Sequence, residues 1–135
     1  MTALALNLVL DSNPNNVAEV EPYIHMVFKE LNLDDSLFGN MLISLTEAVS
    51  NAIIHGNKCD VSKKVNINTL SYSDKVCLRV EDEGNGFDPQ NLPDPTAPEN
   101  LMTPGGRGVF LMQHLADSVS FLENGRVVQL EFNKV

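Results

Sequence analysis

The chain has 135 residues, 43% of them hydrophobic, and carries 18 acidic against 9 basic side chains for a formal net charge of −9. That length suits a single domain spanning residues 1–135, and the apolar fraction excludes a disordered chain. The acidic balance argues against a general nucleic-acid or anionic-membrane binder, which needs a basic face, while leaving room for a small anion held by backbone N–H groups and a metal ion.

The opening MTALALNLVLDSNP lacks a basic n-region and alternates like a strand, so no signal peptide is expected. No apolar run approaches the ~20 residues of a membrane span, and a cytoplasmic location is the expectation. Leu4, Leu6, Leu8 and Leu10 predict a strand over 3–10 with one buried face. Asn13 and Pro14 provide a cap and first position for a helix that continues through Val17, Val20, Ile24, Val27, Phe28 and Leu31. NLDDS is a loop, with Asp34 or Asp35 capping a second helix from about Ser36 to His55. The apolar face of that helix is Met41, Leu42, Leu45, Val49, Ala52 and Ile53, and Gly56 and Asn57 end it as left-handed terminators. Residues 63–71 and KVCLRVED alternate around the turn YSD and predict a hairpin. From Gly84 to Gly106 the pattern dissolves into Gly, Pro, Asn and Asp, a long loop of the kind that carries function. RGVFLMQHLAD predicts a short helix, and SVSFLE, Asn-Gly and RVVQLEF a closing hairpin with a primed turn. The order β-α-α-β-β-loop-α-β-β predicts an α+β two-layer sandwich, its mixed, largely antiparallel sheet carrying helices on one face. Cys59 and Cys77 form no CxxC and are expected to be reduced.

Three stretches carry chemistry. In LTEAVSNAIIHGNK, Glu47, Asn51 and His55 recur every fourth residue and so share a helix face. Such a stripe is ordinarily solvated surface. Here the helix is otherwise apolar, and the polar groups are a carboxylate, an amide and an imidazole instead of a Lys/Glu mixture. Glu47 could serve as a base, Asn51 as a metal ligand and His55 as a donor to a ligand. In VEDEGNGFD, Asp82 stands at a strand end before Gly84 and Gly86. Taken alone this is a glycine turn, but it also allows close backbone approach to a flat ligand, with a carboxylate able to accept from an exocyclic amine. In TPGGRGVFLM, Gly105, Gly106 and Gly108 flank Arg107 at a loop-to-helix junction, where converging N–H groups suit a phosphate chain as readily as they make a hinge. There is no GxxxxGK[ST], no GxGxxG and no GxSxG.

Together, EAVSNAIIHGN, DEGNGFD and GGRGVFLM resemble the N, G1 and G2 boxes of the GHKL (Bergerat-fold) ATP-binding superfamily. Within it the chain most resembles the anti-sigma-factor serine/threonine kinases of the RsbW and SpoIIAB type. The resemblance implies ATP and Mg²⁺ as cofactors. Glu47 would then position or deprotonate the attacking hydroxyl, Asn51 would ligate Mg²⁺, and His55 and Gly56 would lie near the phosphates. It gives Asp82 the adenine amine, Gly84 and Gly86 the adenine-side floor, residues 88–104 the lid, and Gly106, Arg107 and Gly108 the turn over the phosphates. It implies a STAS-domain anti-sigma factor antagonist as protein substrate and a sigma factor as second partner. Family members commonly form homodimers, and no pattern in the chain fixes its oligomeric state. A non-catalytic, ATP-gated protein-binding module is the alternative function.

Overall fold

The structure, a computed structural model, describes residues 4–84 and 106–134. Five strands form one sheet: β1 (Leu4–Asp11), β2 (Lys64–Ser71), β3 (Lys75–Glu81), β4 (Ser118–Leu122) and β5 (Val127–Asn133), in the order β1-β2-β3-β5-β4. All four pairings are antiparallel, one step further than the largely antiparallel sheet expected. Helices α1 (Val20–Leu31) and α2 (Phe38–Asn51) connect β1 to β2, and α3 (Gly106–Leu115) precedes β4.

The period-two alternation of the strands explains the layering. Val65 and Ile67, then Val76, Leu78 and Val80, then Val128, Leu130 and Phe132 point one way and are buried. Against them lie Val20, Ile24 and Val27 of α1, Met41, Leu45 and Val49 of α2, and Val109 and Met112 of α3, all in one core. Each fully buried aliphatic side chain here contributes ~1.5–3 kcal/mol relative to exposure. Within this apolar layer the Tyr23 hydroxyl and Thr69 Oγ1 satisfy one another at 2.6 Å. The opposite sheet face is polar and internally bonded: Asn7 Nδ2 donates to Asn66 and Asn68 at 2.6 and 2.8 Å, and Lys75 pairs with Glu131 at 2.9 Å.

The helices differ from expectation at their ends. The first begins as a 3-10 segment, Pro14–Glu19, capped by the Asn13 side chain on the Asn15 N–H, before becoming α-helical at Val20. Asp34 caps the second, accepting from the Ser36 N–H at 2.8 Å. Its last turn, Ala52–Gly56, is π-helical, with Asn57 N–H bonded to the Ala52 carbonyl at 2.8 Å. The left-handed residues lie beyond it, at Lys58 (φ 53°) and Cys59 (φ 59°), and not at Gly56 or Asn57. The helical stretch Asp35–Gly56 runs 22 residues and is long and apolar enough to cross a membrane by length and composition alone, contrary to the sequence reading. Its Met41–Leu45–Val49–Ile53 side is spent on the core. In the closing hairpin Asn124 (φ 58°) and Gly125 (φ 85°) have the positive φ values of a primed turn and Arg126 N–H reaches the Glu123 carbonyl at 3.2 Å, but Glu123 (φ 52°) is positive as well and the Leu122–Val127 pairing leaves a loop of four residues, longer than the tight turn expected. Both cysteines are free, Cys59 exposed and Cys77 buried.

Candidate functional site

One turn apart on α2, Glu47 and Asn51 are both half-buried. This pair is partly covered, because α3 packs against α2. Gly108, in the first turn of α3, is buried and comes so close that a Cβ on it would lie 2.7 Å from Glu47 Oε2 and 3.2 Å from Asn51 Nδ2. Glycine at 108 thus lets a helix N-terminus, with its unsatisfied N–H groups, approach a carboxylate and an amide. Gly106 and Arg107 form the start of the same helix, and for Arg107 only the backbone is described. Gly86 and the lid residues 88–104 lie outside the described residues.

His55 does not join the other two. It is exposed. A four-residue interval keeps side chains on one face only while the helix stays α-helical, and the wider i→i+5 turn that begins at Ala52 changes the register.

Asp82 is brought in by the sheet. The inward positions Val76, Leu78 and Val80 of β3 continue to 82, so the carboxylate enters the helix-facing layer just past the strand end, where it is 5% exposed. Its backbone N–H donates to the Arg126 carbonyl at 2.9 Å, and its Oδ1 accepts from the Gly84 N–H at 2.8 Å. Burial pushes its pKa above the usual carboxylate range, and Glu81 adds to this; the Gly84 N–H, Arg126 and Lys63 pull the other way.

Above Asp82 sits the end of α2. A Cβ on Gly56 would fall 2.3 Å from Asp82 Oδ2. Neither Gly56 nor Gly84 needs a positive φ; close approach demands both. Glycines thus stand against each of the polar groups, Gly56 and Gly84 at Asp82 and Gly108 at Glu47 and Asn51.

Asn57 belongs to this construction, and the sequence reading missed it. It is 1% exposed. Its Nδ2 donates to Ser12 Oγ at 2.8 Å and the Lys64 carbonyl at 3.0 Å, and its Oδ1 accepts from the Glu83 N–H at 2.8 Å. An Asn directly after a helix-ending glycine reads as a terminator, and the available signal, a polar residue inside an otherwise core-forming helix end, is not specific.

Residues 10–132 match the family described as the histidine kinase-like ATPase domain. Serine-protein kinase RsbW of Listeria monocytogenes is 30% identical over 86 residues, 59% of this chain and 55% of that protein. An anti-sigma F factor of Clostridium perfringens is 38% identical over 80 residues, 56% of each chain. These matches thus span little more than half the length of the curated relatives. The crystal structure of the RsbU and RsbW domains of a Mycobacterium tuberculosis protein shares the fold, with a TM-score of 0.65 at 16% identity over 97% of this chain and 31% of that one.

Proposed function

The chain belongs to the histidine kinase-like ATPase domain family, and from that membership we propose that it is an ATP-dependent serine/threonine protein kinase that phosphorylates a STAS-type antagonist protein and also sequesters a sigma factor. The observation that carries the reading is the meeting of Gly108, at the N-terminus of α3, with both Glu47 and Asn51. The printed names of the relatives, a serine-protein kinase and an anti-sigma F factor, support the same class.

The residues suit a magnesium nucleotide. A magnesium ion bound to phosphates takes one or two protein oxygens and keeps its waters, so Asn51 is a sufficient side-chain ligand. When bound, the ion would supply charge neutralisation across the phosphates. The chain's own residues divide the remaining work. The Asp82 carboxylate accepts from the adenine amine, with Gly84 beneath the ring. The α3 N-terminus, with Gly106, Arg107 and Gly108, faces the phosphates. Glu47 orients the incoming serine or threonine hydroxyl and takes its proton as the oxygen bonds to the γ-phosphorus and ADP leaves. Transfer of this kind has a loose transition state, so the placement of the carboxylate matters more than strong base catalysis.

The test is transfer of a γ-phosphate label from Mg-ATP to STAS-domain proteins. Glu47→Ala is expected to abolish transfer and spare ATP affinity, and Asn51→Ala to weaken binding of Mg-ATP. ATP bound with no transfer to any STAS protein would leave the ATP-gated binding module as the function.

A further inference from the structure

We propose that Asn57 is a positioning residue for the adenine side of the site, holding the turn after Asp82 so that the protein distinguishes a 6-amino purine from a 6-oxo purine. The proposal rests on the reading of Asp82 given above.

The carboxamide of Asn57 ties together three segments distant in sequence. Through Nδ2 it holds Ser12, at the end of β1, and the Lys64 carbonyl, at the start of β2; through Oδ1 it holds the Glu83 N–H. Ser12 Oγ is itself fully buried and donates to the Lys63 carbonyl at 2.7 Å, so the network is anchored on both sides. The Glu83 amide is the peptide that immediately follows Asp82. Fixing it, together with the Asp82 N–H bond to the Arg126 carbonyl, constrains the backbone on both sides of the Asp82 Cα and therefore the direction of its side chain. A buried Asn could simply satisfy loose backbone groups. What separates the roles is the atom that Oδ1 holds: it is one residue from the carboxylate and not in the core.

Adenine presents an amine to that carboxylate, whereas hypoxanthine presents a carbonyl oxygen, lone pair against lone pair. A firmly held carboxylate rewards the first and rejects the second. A carboxylate on a slack turn loses the first bond and swings away from the second clash, so discrimination falls from both sides.

The experiment is calorimetric titration of the full chain with ATP and with inosine triphosphate in Mg²⁺, read as the ratio of the two affinities, alongside a thermal melt. Wild type is expected to prefer ATP. Asn57→Ala is expected to lower that ratio about tenfold, the loss expected for one hydrogen bond to a charged group. Ser12→Ala, which removes one tether and leaves the Glu83 bond, is expected to shift the ratio in the same direction by about threefold. A folded Asn57→Ala protein with the wild-type ratio overturns the proposal. If Asn57→Ala does not fold, an unchanged ratio in Ser12→Ala overturns it. Wild type that binds both nucleotides equally refutes the role of Asp82, and wild type that binds neither refutes the kinase reading; either result removes this proposal with it.

Discussion

A Cβ placed on Gly84 would lie 1.8 Å from the carbonyl oxygen of Gly56. The end of α2 and the turn after β3 are thus in backbone contact, and the obstacle to any side chain at 84 is a main-chain atom that cannot rotate away. The same construction at Gly56 meets the Asp82 carboxylate, a side chain that can swing. Gly84→Ala should therefore destabilise the fold by at least ~2–3 kcal/mol. Gly56→Ala should cost less stability and still abolish ATP binding. Denaturant melts and nucleotide titrations on the pair check the split.

Gly108→Ala puts its new methyl against the ends of Glu47 and Asn51, and no backbone atom is among its closest contacts. The variant should fold with a melting temperature within a few degrees of wild type, since flexible side-chain ends yield cheaply. Displacing Glu47 should lower phosphoryl transfer at least ~10-fold, because positioning dominates this chemistry. Loss of the fold with no effect on transfer per folded molecule would show that α3 has a purely architectural place here.

Asp82 gives a prediction for pH. Burial raises its folded-state pKa above that of the unfolded chain. Between those two values the folded protein holds a proton that the unfolded chain lacks, so the stabilising contribution is complete below the unfolded value and is lost as pH rises through the folded one. At neutral pH the buried carboxylate is a cost. Asp82→Asn can keep the acceptor for the Gly84 N–H, and it should raise the melting temperature at pH 7 by roughly 2–5 °C, a gain that fades on acidification. The same variant should lose its preference for ATP. Parallel melts at pH 7 and in the acidic range, with ATP titration, measure both.

The Tyr23–Thr69 pair lies in the core, away from the chemistry, and offers a stability control. Tyr23→Phe and Thr69→Val each leave one buried hydroxyl unpaired and should each cost ~1–2 kcal/mol. The double variant should cost less than their sum, with a coupling of about 1 kcal/mol. ATP binding should not change in any of the three.

Much of this architecture is legible in the sequence because two periodicities are strong. The alternations Val65–Ile67–Thr69 and Val76–Leu78–Val80 place the central hairpin within a residue of its observed ends. Carried one step further, the second alternation would have put Asp82 in the inner layer. The four-residue interval between Glu47 and Asn51 correctly sets them on one face. It fails at His55 because an α-turn and a π-turn accept the same apolar residues, so nothing in AIIHG announces the wider geometry. The contact of Gly56 with Gly84, and the three tethers of Asn57, join segments that only the sheet brings together. No local pattern encodes them.

The placement of β1 has a consequence for how the chain assembles. Leu8 pairs with Ile67 and Leu10 with Val65, so β1 waits for a neighbour that emerges only after both connecting helices. The β2–β3 and β4–β5 pairs, by contrast, need only short closures. Folding should therefore begin at the hairpins and finish with capture of β1 at the rim of the sheet, the slow, non-local step. Until that capture the apolar side of Leu6, Leu8 and Leu10 is open to other chains, and expression at higher temperature or in crowded refolding should reveal it as aggregation before any loss of native stability.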